Sequence, residues 1–103
     1  MSSSTLIRAA APTIPTSTSK KAFTADTTIA TALDLSAHKG RYVTFYGTAD
    51  FRMRAGASDV AATAGDFPHK ADQEHPRKIV GGGLYVSVRG IGGGDLFYAV
   101  TDS

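Results

Sequence analysis

Residues 41–55 read Arg-Tyr-Val-Thr-Phe-Tyr-Gly, then Thr-Ala-Asp, then Phe-Arg-Met-Arg-Ala. Val43 and Phe45 fall on one side of an extended chain, and Tyr42, Thr44 and Tyr46 on the other. After the polar step at 48–50 the alternation resumes. Phe51, Met53 and Ala55 share one face, and Arg52 and Arg54 the opposite one. A period of two on both sides of a short polar connection predicts two strands joined as a hairpin.

The same period recurs towards the C-terminus. Leu84–Arg89 (LYVSVR) points Leu84, Val86 and Val88 inward and Tyr85, Ser87 and Arg89 outward. Gly90–Asp95 forms a glycine-rich turn, and Leu96–Thr101 (LFYAVT) supplies a last strand. Upstream, the Thr-rich run Phe23–Thr31 suits one or two edge strands. Val60–Ala64 reads as a helical turn or a connector, Asp66–Pro76, with two prolines, as a surface loop, and Ile79-Val80 as a strand start. No window carries a capped 3.6-residue apolar period. The expectation is therefore an all-β domain, a small antiparallel sandwich or barrel. Its predicted core is Leu35, Val43, Phe45, Phe51, Met53, Val86, Val88, Leu96 and Val100.

The chain has 103 residues, 11 basic and 9 acidic side chains, and neither cysteine nor tryptophan. That length suits one domain. Lack of cysteine excludes a disulfide, a thiolate metal site and a cysteine nucleophile. No apolar run is long enough for a membrane-spanning helix. Residues 1–19 hold one charge, Arg8, and are mostly Ser, Thr and Ala with Pro12 and Pro15. A signal peptide is disfavoured, because the start is Ser-rich and the apolar run is broken. We expect an extended N-terminal arm over 1–19, with Leu6 and Ile14 as apolar anchors, and a β body over 20–103.

Candidate chemistry is sparse. The triplets Gly81-Gly82-Gly83 and Gly92-Gly93-Gly94 lack the Lys-Ser/Thr and helix of a phosphate cradle. His69 and His75, with Asp66, Asp72 and Glu74, are the nearest approach to a metal set. Their spacing matches no compact motif, and Lys70, Arg77 and Lys78 oppose a cation. His38, His69 and His75 with Asp34, Asp50 and Asp95 offer acid–base groups, but Ser36 and Ser58 sit in no nucleophile elbow. No enzyme, metal or cofactor is expected. Arg52 and Arg54 beside Tyr42 and Tyr46 suit a protein interface, a single-stranded nucleic-acid platform or a solvated face. The net charge of +2 weighs against nucleic acid, and sequence-specific binding is not expected.

One resemblance adds to this. Leu33-Asp34-Leu35, Gly40–Phe45, Phe51–Gly56, Tyr85-Val86-Ser87-Val88 and Gly92–Leu96 together resemble small β proteins of tailed bacteriophages. Several of those are similar to head decoration (cement) proteins or head-fibre bases. The likeness covers roughly residues 30–101 and leaves out the arm and the 64–78 loop. It implies a virion structural protein on the head surface, in contact with the major capsid protein or other virion subunits. It also implies a homo-oligomer, with a trimer as one form, in which some outward Tyr or Phe side chains are buried between chains. The interface candidates are Leu6, Arg8, Ile14, Tyr42, Tyr46, Arg52, Arg54 and Tyr85. A tail or connector position is the alternative address. A glycan-binding module using Tyr42, Tyr46, Tyr85 and the histidine loop is the alternative function.

Overall fold

The alternating stretch at 41–56 forms two strands, β3 (Tyr42–Gly47) and β4 (Phe51–Gly56). They do not pair with each other. A computed structural model describes residues 18–101 and places β3 and β4 in different sheets. The other strands are β1 (Ser19–Phe23), β2 (Leu33–Asp34), β5 (Pro68–His69), β6 (Glu74–Lys78), β7 (Tyr85–Gly90) and β8 (Gly94–Val100). A single 3₁₀ turn, Ser36–His38, links β2 to β3.

One sheet has the order β1-β8-β3-β6 and the other β2-β7-β4-β5. All strand pairs are antiparallel. First pairs with eighth, second with seventh, third with sixth and fourth with fifth. The chain behaves as one long hairpin, tipped at the β4–β5 connection, rolled so that β3 meets β8 and β4 meets β7. Every connection except β4–β5 passes from one sheet to the other. This is the connectivity of a jelly roll.

The crossings are clasped at both ends. At one end the Thr48 amide donates to the Asp95 carbonyl (2.9 Å), and the Ile91 and Gly92 amides donate to the Asp50 carbonyl (2.9 and 3.1 Å). At the other, the Leu35 amide donates to Leu84 (2.9 Å) and the Gly40 amide to Ile79 (2.6 Å). Gly40 has φ +83°, a conformation glycine adopts at no steric cost.

The inner faces bury Phe23, Leu33, Leu35, Val43, Phe45, Phe51, Ile79, Val86, Val88 and Leu96. Met53 and Val100, expected in the core, pack against it while half-buried. Four expectations need correction. The 41–55 stretch is a corner between sheets rather than a hairpin. The first strand is Ser19–Phe23, and within 24–31 only isolated bridges form, Ala25 with Gly90 and Thr28 with Arg89. Of the two readings of Val60–Ala64 the connector is the one the backbone takes, whereas Ile79-Val80, expected to start a strand, follows the end of β6. The stretch 66–76 is no plain loop, because β5 and most of β6 lie inside it. Pro76 disguised β6, since proline enters strands mainly at sheet edges, and β6 is an edge. Among the described residues no helix is long and apolar enough to cross a membrane.

Candidate functional site

The arginine row lies on the outer face of the second sheet, as the alternation of β4 requires. Arg52 stands opposite Arg89 of β7, and Arg54 opposite Ser87. The β4–β5 connection, residues 57–67, folds back over this face as a strap. Arg54 Nε donates to both Asp66 oxygens (3.0 Å each), and Arg54 Nη2 lies 2.8 Å from Oδ1. Arg52 Nη1 donates to the Asp66 carbonyl (2.6 Å). The Thr63 amide donates to Asp66 Oδ2 (2.7 Å), and the Ala62 amide to Ser87 Oγ (2.8 Å). Thr28 Oγ1 donates to the Ala62 carbonyl (2.6 Å) and accepts from Arg89 Nη1 (3.3 Å). Arg54 and then the Thr63 amide hold the Asp66 carboxyl below its ordinary value. Arg52 and Arg54 thus fasten the chain's own strap, which covers Ser87 on the second sheet's outer face while the Arg54 side chain stays half exposed.

The outer face of the first sheet is different. Tyr46 pairs with Phe97 of β8, and Phe97 with Lys20 of β1. Thr44 pairs with Ala99 and with Pro76, and Tyr42 with Lys78. Tyr42, Tyr46, Phe97 and Ala99 are all half-exposed. Tyr46 Oη donates to Asp72 Oδ1 (3.0 Å), and that hydrogen bond pushes the phenol pKa up. Between the aromatics, Thr44 and Thr101 are buried and hydrogen-bond to each other. The patch is aromatic and small at its centre and charged at its rim, the anatomy of many protein interfaces. Tyr85 lies on the other sheet, opposite Gly56 and Asp34, so the three tyrosines do not form one platform. Leu6, Arg8 and Ile14 lie outside the described residues.

A third cluster brings together His69, His75 and Arg77, which the sequence reading assigned to a surface loop and its flank, and buries His69. The inward side of edge strand β6 carries His75 and Arg77, opposite the inward Phe45 and Val43 of β3, and the buried Ile79 follows just past its end. His69 of β5 is 7% exposed, stacked on Phe51 with ring centroids 5.3 Å apart. His75 meets it edge-on at 4.9 Å, and the 78%-exposed Phe67 edge-on at 6.1 Å. His69 Nδ1 donates to the Phe67 carbonyl (3.1 Å), which leaves Nε2 to accept from Arg77 Nη2 (3.3 Å). Burial first, then the charges of His75 and Arg77, lower the His69 pKa. The signal that could have found this cluster is the alternation His75-x-Arg77-x-Ile79. Among the described residues no group of three or more His, Asp or Glu is placed to hold a metal ion.

Comparison with known proteins finds no match by family model, by curated sequence or by solved structure.

Proposed function

We propose that this protein is a structural subunit of a bacteriophage virion, a decoration protein that seats on the head surface and bridges neighbouring capsomers of the major capsid protein. The observation that carries this reading is the inequality of the two outer faces. One is partly covered by the strap fastened on Arg52, Arg54 and Ser87. The other presents half-exposed Tyr42, Tyr46 and Phe97 and runs to the edge strand β1, which residues 1–17 precede. The sequence before β1 carries the apolar Leu6 and Ile14, residue types that a neighbouring subunit would bury. The fold is in keeping with this reading, since jelly rolls build viral capsid domains as well as lectins.

The test uses mature shells lacking the protein. The full chain is expected to bind them saturably at a fixed number per lattice site. Tyr46→Lys or Phe97→Lys should abolish binding while the body stays folded, and deletion of residues 1–17 should weaken it. Tyr85→Lys on the strapped sheet should bind as wild type. Equal binding by all variants would refute the proposal. A low fixed copy number per particle would move the protein to the tail or connector.

A further inference from the structure

We propose that the open side of the sandwich, between β5 and β6, binds a small monocarboxylic acid whose hydrocarbon part enters the core and whose carboxylate meets Arg77. A cavity of about 160 Å³ lies there, lined by Phe45, Met53, Ala55, His69, Arg77 and Val86. Its walls come from both sheets, and its lining is inward-facing by register, Arg77 opposite Val43, Met53 opposite Val88 and Ala55 opposite Val86, with Arg77 and Ala55 exposed at its mouth. An apolar cavity of about 150 Å³ accepts a benzene ring, so the space suits one six-membered ring or a short branched chain.

Charge decides the rest of the ligand. Arg77 is the cation lining the cavity, and its guanidinium meets neutral acceptors. Nη1 donates to the Pro76 carbonyl (2.8 Å) and Nη2 to His69 Nε2 (3.3 Å). The second bond is long and is readily exchanged for a carboxylate, which guanidinium binds more strongly than it binds a neutral acceptor. His69 is held in its Nδ1–H tautomer by the Phe67 carbonyl and offers Nε2 no proton of its own. Anion binding therefore falls to Arg77, while Phe45, Met53 and Val86 supply the apolar contact. An inward charge on an edge strand also deters edge-to-edge pairing, which accounts for Arg77 but not for the cavity beside it. The inference stands independently of any place in a virion.

The experiment is an amide NMR titration of the full chain with sodium benzoate, benzyl alcohol and sodium acetate. Benzoate is expected to shift the Met53, Ala55 and Arg77 signals saturably. Acetate, which lacks the ring, should bind far more weakly. Arg77→Gln should weaken benzoate about tenfold or more, from the loss of a charge-assisted bond, and leave benzyl alcohol unchanged. Ala55→Leu, which fills the cavity, should abolish both, and the dispersion of the same spectra reports that each variant is folded. Absence of saturable benzoate binding, equal benzoate affinity in Arg77→Gln, or acetate binding as well as benzoate would each overturn the proposal.

Discussion

Ser87 sits on the outer side of its strand and yet is 1% exposed. Its alternation correctly points it away from the core, and it is buried because the strap covers it. Its Oγ accepts from the amide of Ala62, itself 2% exposed. Ser87→Ala therefore strands a buried amide, and we expect a loss of about 1–3 kcal/mol by urea unfolding. The Ala62 amide should exchange faster with solvent in the same variant, whereas an unchanged rate would mean that Ser87 does not hold the strap. His69 acts through charge. Its partners, Arg77 and His75, both oppose its protonation, and Phe51 and Phe67 offer it no counter-charge. Its folded pKa lies below the ordinary 6.5, so the unfolded chain binds the proton more readily. This contribution to stability is complete above 6.5 and is lost as pH falls from 6.5 through the lowered value. Urea midpoints should decline across that window, and His69→Phe should flatten the decline. A flat wild-type profile there would contradict the geometry. Further down, Asp66 acts in the ordinary acidic sense, with strap stability lost as pH falls below 3.8.

At the scale of elements, alternation identified β3, β4, β7 and β8 because each has one wet or strapped face and one apolar face. It could not identify partners. A hairpin and a crossing between sheets both direct Val43, Phe45, Phe51 and Met53 inward, so period two is satisfied either way. What distinguishes them is steric. A Cβ on Gly47 would lie 2.5 Å from the Phe51 ring, so the 48–50 corner brings Phe51 directly against the end of β3. β6 was hidden by Pro76, and the strap by its irregular backbone, whose bond from Ala62 to Ser87 spans 25 residues and whose ion pair from Asp66 to Arg54 spans 12. Asp66 was therefore legible as loop chemistry but not as the partner of Arg54. The corner at β7–β8 is equally tight. A Cβ on Gly90 would overlap the Thr24 carbonyl oxygen and lie 2.7 Å from the Gly92 oxygen and 2.8 Å from Phe23. Two of these are backbone atoms and cannot swing aside. Gly90→Ala should cost about 3 kcal/mol, measured by chemical denaturation. Gly81→Ala is the control, because its Cβ would meet only the mobile Lys39 side chain at 3.7 Å and should change stability little.

The whole molecule is governed by the rolled-hairpin order. The β4–β5 ladder with its strap joins segments close in sequence, whereas β1 reaches across the chain to pair Ser19 with Tyr98. Loop closure of that length is an entropic cost that the native contacts recover only once β3–β8 has formed. We therefore expect refolding on the slow, all-β side of small domains, milliseconds to seconds by stopped flow. The order of events should be legible in rates. Phe23, at the end of β1, packs on Phe51 with ring centroids 5.9 Å apart. Phe23→Leu removes part of that contact without opening a large void, for about 1 kcal/mol. If β1 docks last, nearly all of this loss appears as faster unfolding, with the refolding rate unchanged. If β4, β7 and β5 assemble before the chain ends meet, Met53→Ala in β4 should instead slow refolding. A refolding rate that falls with Phe23→Leu in proportion to the stability lost would place β1 in the nucleus. It would mean that the roll closes from its ends rather than from its tip.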